Sequence, residues 1–211
     1  MRRAKPAAVG EIAAALQWDR GRWIWLLLIV LCLDLLSALG DKATLCLRYD
    51  RAAIAAGEWW RLLSAHVVHL DAHHLLLNEA GLVLVWALFA GDYDGVGWLI
   101  VVLSGALAIS CGLWWLSPRV GSYLGASGVL HAAMAAGTVR HIVTRQWDRW
   151  ILLGGLLGKL AYEQYAQAAA HAAPLVVVDA HLYGAAAGFA VGAALSARMA
   201  IIRHFAAAVR R

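Results

Sequence analysis

The stretch Gly125-Ala-Ser-Gly-Val-Leu-His-Ala-Ala-Met-Ala-Ala-Gly137 decides the architecture. It carries no charged residue and is built mostly from small side chains, the composition of a helix that packs closely against other helices inside a membrane. At its mouth, Ser127 stands between glycines in Gly125-Ala-Ser127-Gly128, where a hydroxyl in a lipid-embedded helix is a candidate nucleophile. Further along the chain comes His181, followed by Gly184 and Gly188 at a helical small-residue spacing.

Outward from that stretch the chain keeps the same character. Hydrophobic residues make up 63% of the 211 and charged residues 15%, which excludes an ordinary soluble domain. A span needs about 20 apolar residues, and apolar segments lie at about 23–40, 70–90, 96–116, 123–141, 149–170 and 178–200. The expected fold is therefore all-α, a polytopic six-transmembrane-helix bundle over 23–200, with a basic segment before it at 1–22 and a basic tail at 201–211. The first segment lacks an Ala-x-Ala cleavage pattern and reads as a retained anchor. Cys32, Cys46 and Cys111 are odd in number and unrelated in position, so no disulfide framework is expected.

The net charge of +5 does not point to nucleic acid, because the basic residues flank helices rather than sharing a face with exposed aromatics. Most of the Lys and Arg lie in the N-terminal head, the 140–149 link and the tail. Lys42, Arg48, Arg51, Arg61 and Arg119 occupy the opposite side, and Lys159 lies within a span. Both termini are thus expected in the cytoplasm. Tryptophans near the predicted helix ends, Trp18 among them, suit the headgroup zone.

In that topology the fourth and sixth segments enter from the same outer face, so Ser127 and His181 come to matching depth, each about one turn inside its helix. Small residues facing one another, Gly184 and Gly188 against Gly125, Gly128 and Ala132, permit the close approach that a Ser–His hydrogen bond requires. Ser127 is the expected nucleophile and His181 its base, a dyad without a carboxylate. The alternative is a serine bonded back to its own helix and a packing histidine.

His74 and Asn78, at i and i+4, share one helical face and are candidate donors to a developing oxyanion, with bundle-holding hydrogen bonds as the alternative. His131, one turn below Ser127, is expected to stack on or bond His181. His66, His69, His73 and His74 raise the possibility of zinc, but no Cys or acidic ligand has matching spacing and His-Glu-x-x-His is absent. No metal and no cofactor is expected. Lys159 and Glu163, also i and i+4, are expected to neutralise each other, while Asp179 points away from His181, and Asp34 is left without a role. The charged, Trp-rich loop at 40–65 is expected as an outer, partly embedded flap.

Taken in order, Trp60-Arg61, His74-x-x-x-Asn78, Gly125-x-Ser127-Gly128 and Ala180-His181 with Gly184 and Gly188 resemble the rhomboid intramembrane serine proteases over residues 59–192. The stretches Gly-Ala-Ser-Gly-Val-Leu-His131, Lys159-Leu-Ala-Tyr-Glu163-Gln164 and Asp179-Ala-His181-Leu-Tyr-Gly184 are most similar to the rhombosortase branch, from which Ala132 departs in standing where that branch has glycine. The resemblance implies a water-filled extracytoplasmic site, with Ser127 as nucleophile and His181 as base and acid. His74, Asn78 and the Ser127 amide would be the oxyanion donors. It further implies a bacterial inner-membrane enzyme that cuts a C-terminal Gly-Gly, hydrophobic-helix and basic-tail signal from exported proteins, with a lipid-derived headgroup as acceptor for the new C-terminus. The competing expectations are a general rhomboid protease for other single-span proteins, a non-proteolytic binder of transmembrane helices, and a transporter or metal-handling protein.

Overall fold

The computed structural model describes residues 20–169 and 177–209. Residues 1–19 of the basic head, with Trp18, the 170–176 connection and the last two residues of the tail lie outside the described residues. Helices occupy all six expected places: α1 (Arg20–Ala38), α5 (Ala72–Phe89), α6 (Gly95–Trp115), α7 (Ser127–Val143), α8 (Arg149–Ala169) and α9 (Val178–Val209). Between α1 and α5 come the short helices α2 (Gly40–Leu47), α3 (Arg51–Ala55) and α4 (Arg61–Ser64), and a 3-10 turn at Ala65–Val67.

By length and composition α5, α6 and Val178–Ala206 of α9 can each cross a membrane. A fourth crossing follows if α1 and α2, bent by 107° at their junction, count as one broken span. Gly40, with φ +75°, makes that bend. Of the other two helices, α7 is enclosed by protein, whereas α8 buries only Leu156 and Leu160. α7 packs against α5, α6, α8 and α9, and its Ala132, Ala135, Ala136 and Thr138 are fully buried. α8 carries Lys159 and Glu163 and bonds them within the protein.

The expected flap is a stapled substructure. A two-residue strand β1 (Tyr49–Asp50) pairs antiparallel with β2 (Ser122–Tyr123), Tyr49 opposite Tyr123 and Asp50 opposite Ser122. The Asp50 carboxylate caps α3 by accepting from the amides of Ala52 (3.1 Å) and Ala53 (3.2 Å). The Ala53 amide, with the Arg48 guanidinium and the Ala52 amide, holds its carboxyl below the usual carboxylate range against the opposing effect of burial. Two arginines close helix ends whose carbonyls have no intrahelical partner. Arg51 donates to Leu113 O and Trp114 O (3.0 Å) at the end of α6 and to Ser117 O and Val120 O in the turn after it, with its guanidinium over the Trp114 ring. Arg61, buried, donates to Leu45 O (2.7 Å) and Arg48 O (2.9 Å) at the end of α2 and is paired with Glu58.

α7 begins at Ser127, some four residues later than the hydropathy suggests. Ser122 and Tyr123 are held in the strand pair, and Gly125 at φ +117° turns the chain before the helix can start. Around this end Tyr49, Ile54, Ala65, Ile109, Leu113, Tyr123 and Ala180 form one buried cluster. Val85, Phe89, Tyr93, Val101, Ala133 and Ala136 form another towards the opposite end of the bundle.

Candidate active site

The seam between α7 and α9 is made of small residues in register. A β-carbon on Gly184 would overlap the Gly128 carbonyl, one on Gly188 the Ala132 carbonyl, and one on Gly192 would lie 2.8 Å from Ala136 Cα. The step of four in both helices keeps one face of each in contact at three successive positions, over about two turns. Ala132 is accommodated from the other side by Gly105 of α6, where a β-carbon would come within 2.7 Å of the Ala132 methyl. Gly128 itself is enclosed by Ile109, Ala180 O and the Tyr123 hydroxyl.

At the upper end of this seam Ser127 is the first residue of α7 and His181 lies in the first turn of α9. Ser127 Oγ and His181 Nε2 are 2.8 Å apart. Ser127 is half-buried and His181 buried, 4% exposed. The amides of the first turn of α7 have no intrahelical acceptor, so Ser127 sits where backbone N–H groups and the positive end of the helix dipole converge.

His131 stacks on His181, ring centroids 4.2 Å apart and planes 14° from parallel. Its Nδ1 donates to the Ser127 carbonyl at 2.7 Å. It therefore touches the serine's backbone, not its hydroxyl, and presents its flat face to His181.

His181 has a second partner that the sequence reading missed. Its Nδ1 lies 2.8 Å from Oε2 of Glu163 on α8, and Lys159 Nζ pairs with the other oxygen of the same carboxylate. The expected Lys159–Glu163 pair exists, but the dyad without a carboxylate is corrected: one reaches His181 from α8. A charged pair inside an otherwise apolar helix was the available signal. Asp179 points elsewhere, accepting from Ser117 Oγ (2.6 Å) and Gln167 Nε2 (3.3 Å).

On the other side of Ser127, His74 of α5 lies against Gly125. A β-carbon there would be 2.7 Å from His74 Cε1 and 2.8 Å from Nε2. The Leu70 amide donates to His74 Nδ1 at 3.4 Å, which leaves the ring hydrogen on Nε2, the nitrogen at Gly125. Asn78 Nδ2 donates to the His74 carbonyl (2.8 Å), and its Oδ1 is buried without a partner. Gly125 is anchored by its amide to Ala65 O (2.9 Å) and by its carbonyl to the Tyr123 hydroxyl (2.8 Å). Next to Ala65, His66 Nε2 donates to Ala106 O at 3.1 Å and lies 3.3 Å from Ser110 Oγ. Burial pushes the His66 ring down to about 4. His69, edge-on to His74 at 5.3 Å, is pushed down to about 4 by burial and the nearby His74.

His69 and His74 lie edge-on, but no three of the histidines at 66, 69, 73 and 74 bring ligand atoms together. His131, Glu163 and His181 do place ligand-type atoms within 4.8 Å of one another. Stacked imidazoles, however, direct their lone pairs along two nearly parallel planes, so an ion about 2 Å from a nitrogen of each ring would lie off the lone-pair axis of at least one. Both nitrogens of His181 and one of His131 are already bonded. The three cysteines are free thiols.

Comparison with known proteins bears on the family. Residues 56–198 match the family model described as Rhomboid domain. The chain is also similar to the rhomboid protease GluP of Bacillus subtilis (strain 168), 31% identical over 87 residues. That alignment takes in 41% of this chain and 17% of GluP, so the chain spans well under two thirds of that relative's length.

Proposed function

The chain belongs to the rhomboid family, and from that premise we propose that it is an intramembrane serine endopeptidase, with Ser127 as nucleophile and His181 as general base and then general acid. The observation that carries the proposal is the 2.8 Å contact between Ser127 Oγ and His181 Nε2 at the N-terminus of a buried helix. Ser127 Oγ attacks the scissile carbonyl carbon and its proton passes to His181 Nε2. His181 then protonates the departing amide nitrogen, leaving an acyl-enzyme that an incoming water, deprotonated by the same imidazole, hydrolyses. Negative charge on the carbonyl oxygen meets the Ser127 amide, His74 Nε2–H and the amide group of Asn78.

The substrate class proposed is an exported bacterial protein with a C-terminal Gly-Gly, hydrophobic-helix and basic-tail signal, cut at an inner membrane that the protein crosses six times. Both termini are cytoplasmic and the site faces the periplasm, with a lipid-derived amine as the competing acceptor to water. The resemblance of the segments around Ser127, Glu163 and His181 to the rhombosortase branch supports this reading, and so does the physics of the substrate. A peptide bond inside a helix is inaccessible, and each glycine weakens a helix by about 1 kcal/mol relative to alanine. A Gly-Gly pair at the outer end is an easy place to unwind.

The test is co-expression with a tagged exported protein carrying such a signal, scored by mass spectrometry of the new C-terminus. Cleavage at or beside Gly-Gly that disappears in Ser127→Ala and in a Gly-Gly→Ala-Ala substrate is expected. Cleavage indifferent to Gly-Gly would leave a general rhomboid protease, and a product equal in wild type and Ser127→Ala would leave a helix-binding protein.

A further inference from the structure

We propose that Glu163 of α8 is a positioning residue for His181, and that Lys159 holds Glu163 in the acceptor state, so that Ser127, His181, Glu163 and Lys159 work as one proton-ordering line across three helices. This rests on the nucleophile assignment above and extends it beyond two residues.

The line is continuous in hydrogen bonds: Ser127 Oγ to His181 Nε2 at 2.8 Å, His181 Nδ1 to Glu163 Oε2 at 2.8 Å, and Glu163 Oε1 to Lys159 Nζ. An imidazole that is to take the serine proton must have a free lone pair on Nε2, so its hydrogen must sit on Nδ1. An ionised carboxylate can only accept. Glu163 therefore selects that tautomer and fixes the ring plane, while His131 fixes the same plane by stacking from α7. When His181 becomes imidazolium, the new positive charge forms beside Glu163, where a low dielectric makes the attraction stronger than it would be in water. The proton stays on His181 until the leaving nitrogen takes it, and Glu163 is not protonated.

A carboxylate at this depth would otherwise tend to hold a proton and become a donor, which would turn His181 to the wrong tautomer. Lys159, one helical turn back on α8 and half exposed, supplies the positive charge that opposes this. Among the described residues, the charged and titratable groups facing His181 are then Glu163 and Lys159 from α8, His131 from α7 and His74 from α5. α6 offers no charged residue, and Asp179 is turned to Ser117.

The experiment uses the full-length protein in detergent and a fluorophosphonate probe, whose rate of covalent capture reports serine nucleophilicity without needing the natural substrate. Rates are measured against pH for wild type, Ser127→Ala, Glu163→Gln, Glu163→Asp and Lys159→Met. Loss of capture in Ser127→Ala establishes the nucleophile; equal capture in wild type and Ser127→Ala overturns that assignment and this proposal with it. Given the nucleophile, Glu163→Gln is expected to slow capture by about 100-fold or more. Its acidic limb should move to lower pH by on the order of one unit, because the imidazolium loses its counter-charge. Lys159→Met should move the limb to higher pH, since both a more basic His181 and an easily protonated Glu163 act in that direction. Glu163→Asp should recover part of the rate. An unchanged rate and profile in Glu163→Gln, or slower capture in both Glu163→Gln and Lys159→Met with the wild-type midpoint, would show α8 packing alone at work and overturn the proposal while sparing Ser127 and His181.

Discussion

The Gly128 carbonyl fills the place that a β-carbon on Gly184 would take. Because Ser127 precedes the one and His181 lies one turn before the other, the distance between the helix backbones sets the distance between hydroxyl and imidazole. Gly184→Ala is expected to part α7 from α9, cost on the order of 1–3 kcal/mol as an overpacked core does, and lose probe capture beyond what the stability change explains. Thermal unfolding in detergent, run beside fluorophosphonate capture, checks it; an active, fully stable variant would mean that the seam is slack.

Gly125 is constrained twice, by its φ of +117° and by the His74 ring against it. Alanine there is strained by about 1–3 kcal/mol and displaces His74. The expected outcome is a fall in kcat of about 100-fold, as for loss of one oxyanion donor, with KM little changed. His74→Ala should reproduce the effect without the loss of stability, and steady-state kinetics on a cleavable substrate separates the two.

His131 contributes a flat face to His181 and a hydrogen bond to the Ser127 carbonyl. Phenylalanine keeps the first and removes the second, whereas alanine removes both. Activity within about tenfold of wild type is expected for His131→Phe and a larger deficit for His131→Ala. His181→Ala should be inactive. If His131→Ala were the inactive variant and His181→Ala merely slow, the roles of the two rings would be exchanged.

His66 gives the protein a pH-dependent joint. Burial lowers its folded value to about 4 from an ordinary 6.5, so the unfolded chain takes up a proton first as pH falls. Its contribution to stability is full above about 6.5 and is lost progressively between 6.5 and 4. His69 acts in the same window. Melting temperature in detergent should fall over that range, with a smaller slope in His66→Gln, whose amide can still donate to Ala106 O; an identical slope would remove His66 from the account.

Hydropathy was enough to find the six long helices, because a long apolar run has few alternatives. Equal depth and small-residue spacing were enough to pair Ser127 with His181. What stayed hidden depended on rotation and on contacts distant in sequence. The phase of α8 about its axis cannot be read from its own residues, so the sequence pairs Glu163 with Lys159 one turn away and gives no sign of His181 on another helix. The late start of α7 depends on Ser122 and Tyr123 pairing with Tyr49 and Asp50, a match of two residues that leaves no periodicity. The loop arginines read as topological charges. Their work as caps for α2 and α6 appears only when the carbonyls they bind are in view.

α7 has 17 residues, about 26 Å of helix at the usual rise, against a hydrocarbon layer of about 30 Å. It does not have to match that thickness, because its neighbours are other helices and it scarcely touches acyl chains. In a thicker or thinner bilayer the outer helices can tilt to adapt, but the seam of α7 with α9 has no mismatch of its own to relieve. The depth of Ser127 is therefore a property of the protein, and the lipid environment acts on how a substrate helix arrives rather than on where the hydroxyl waits.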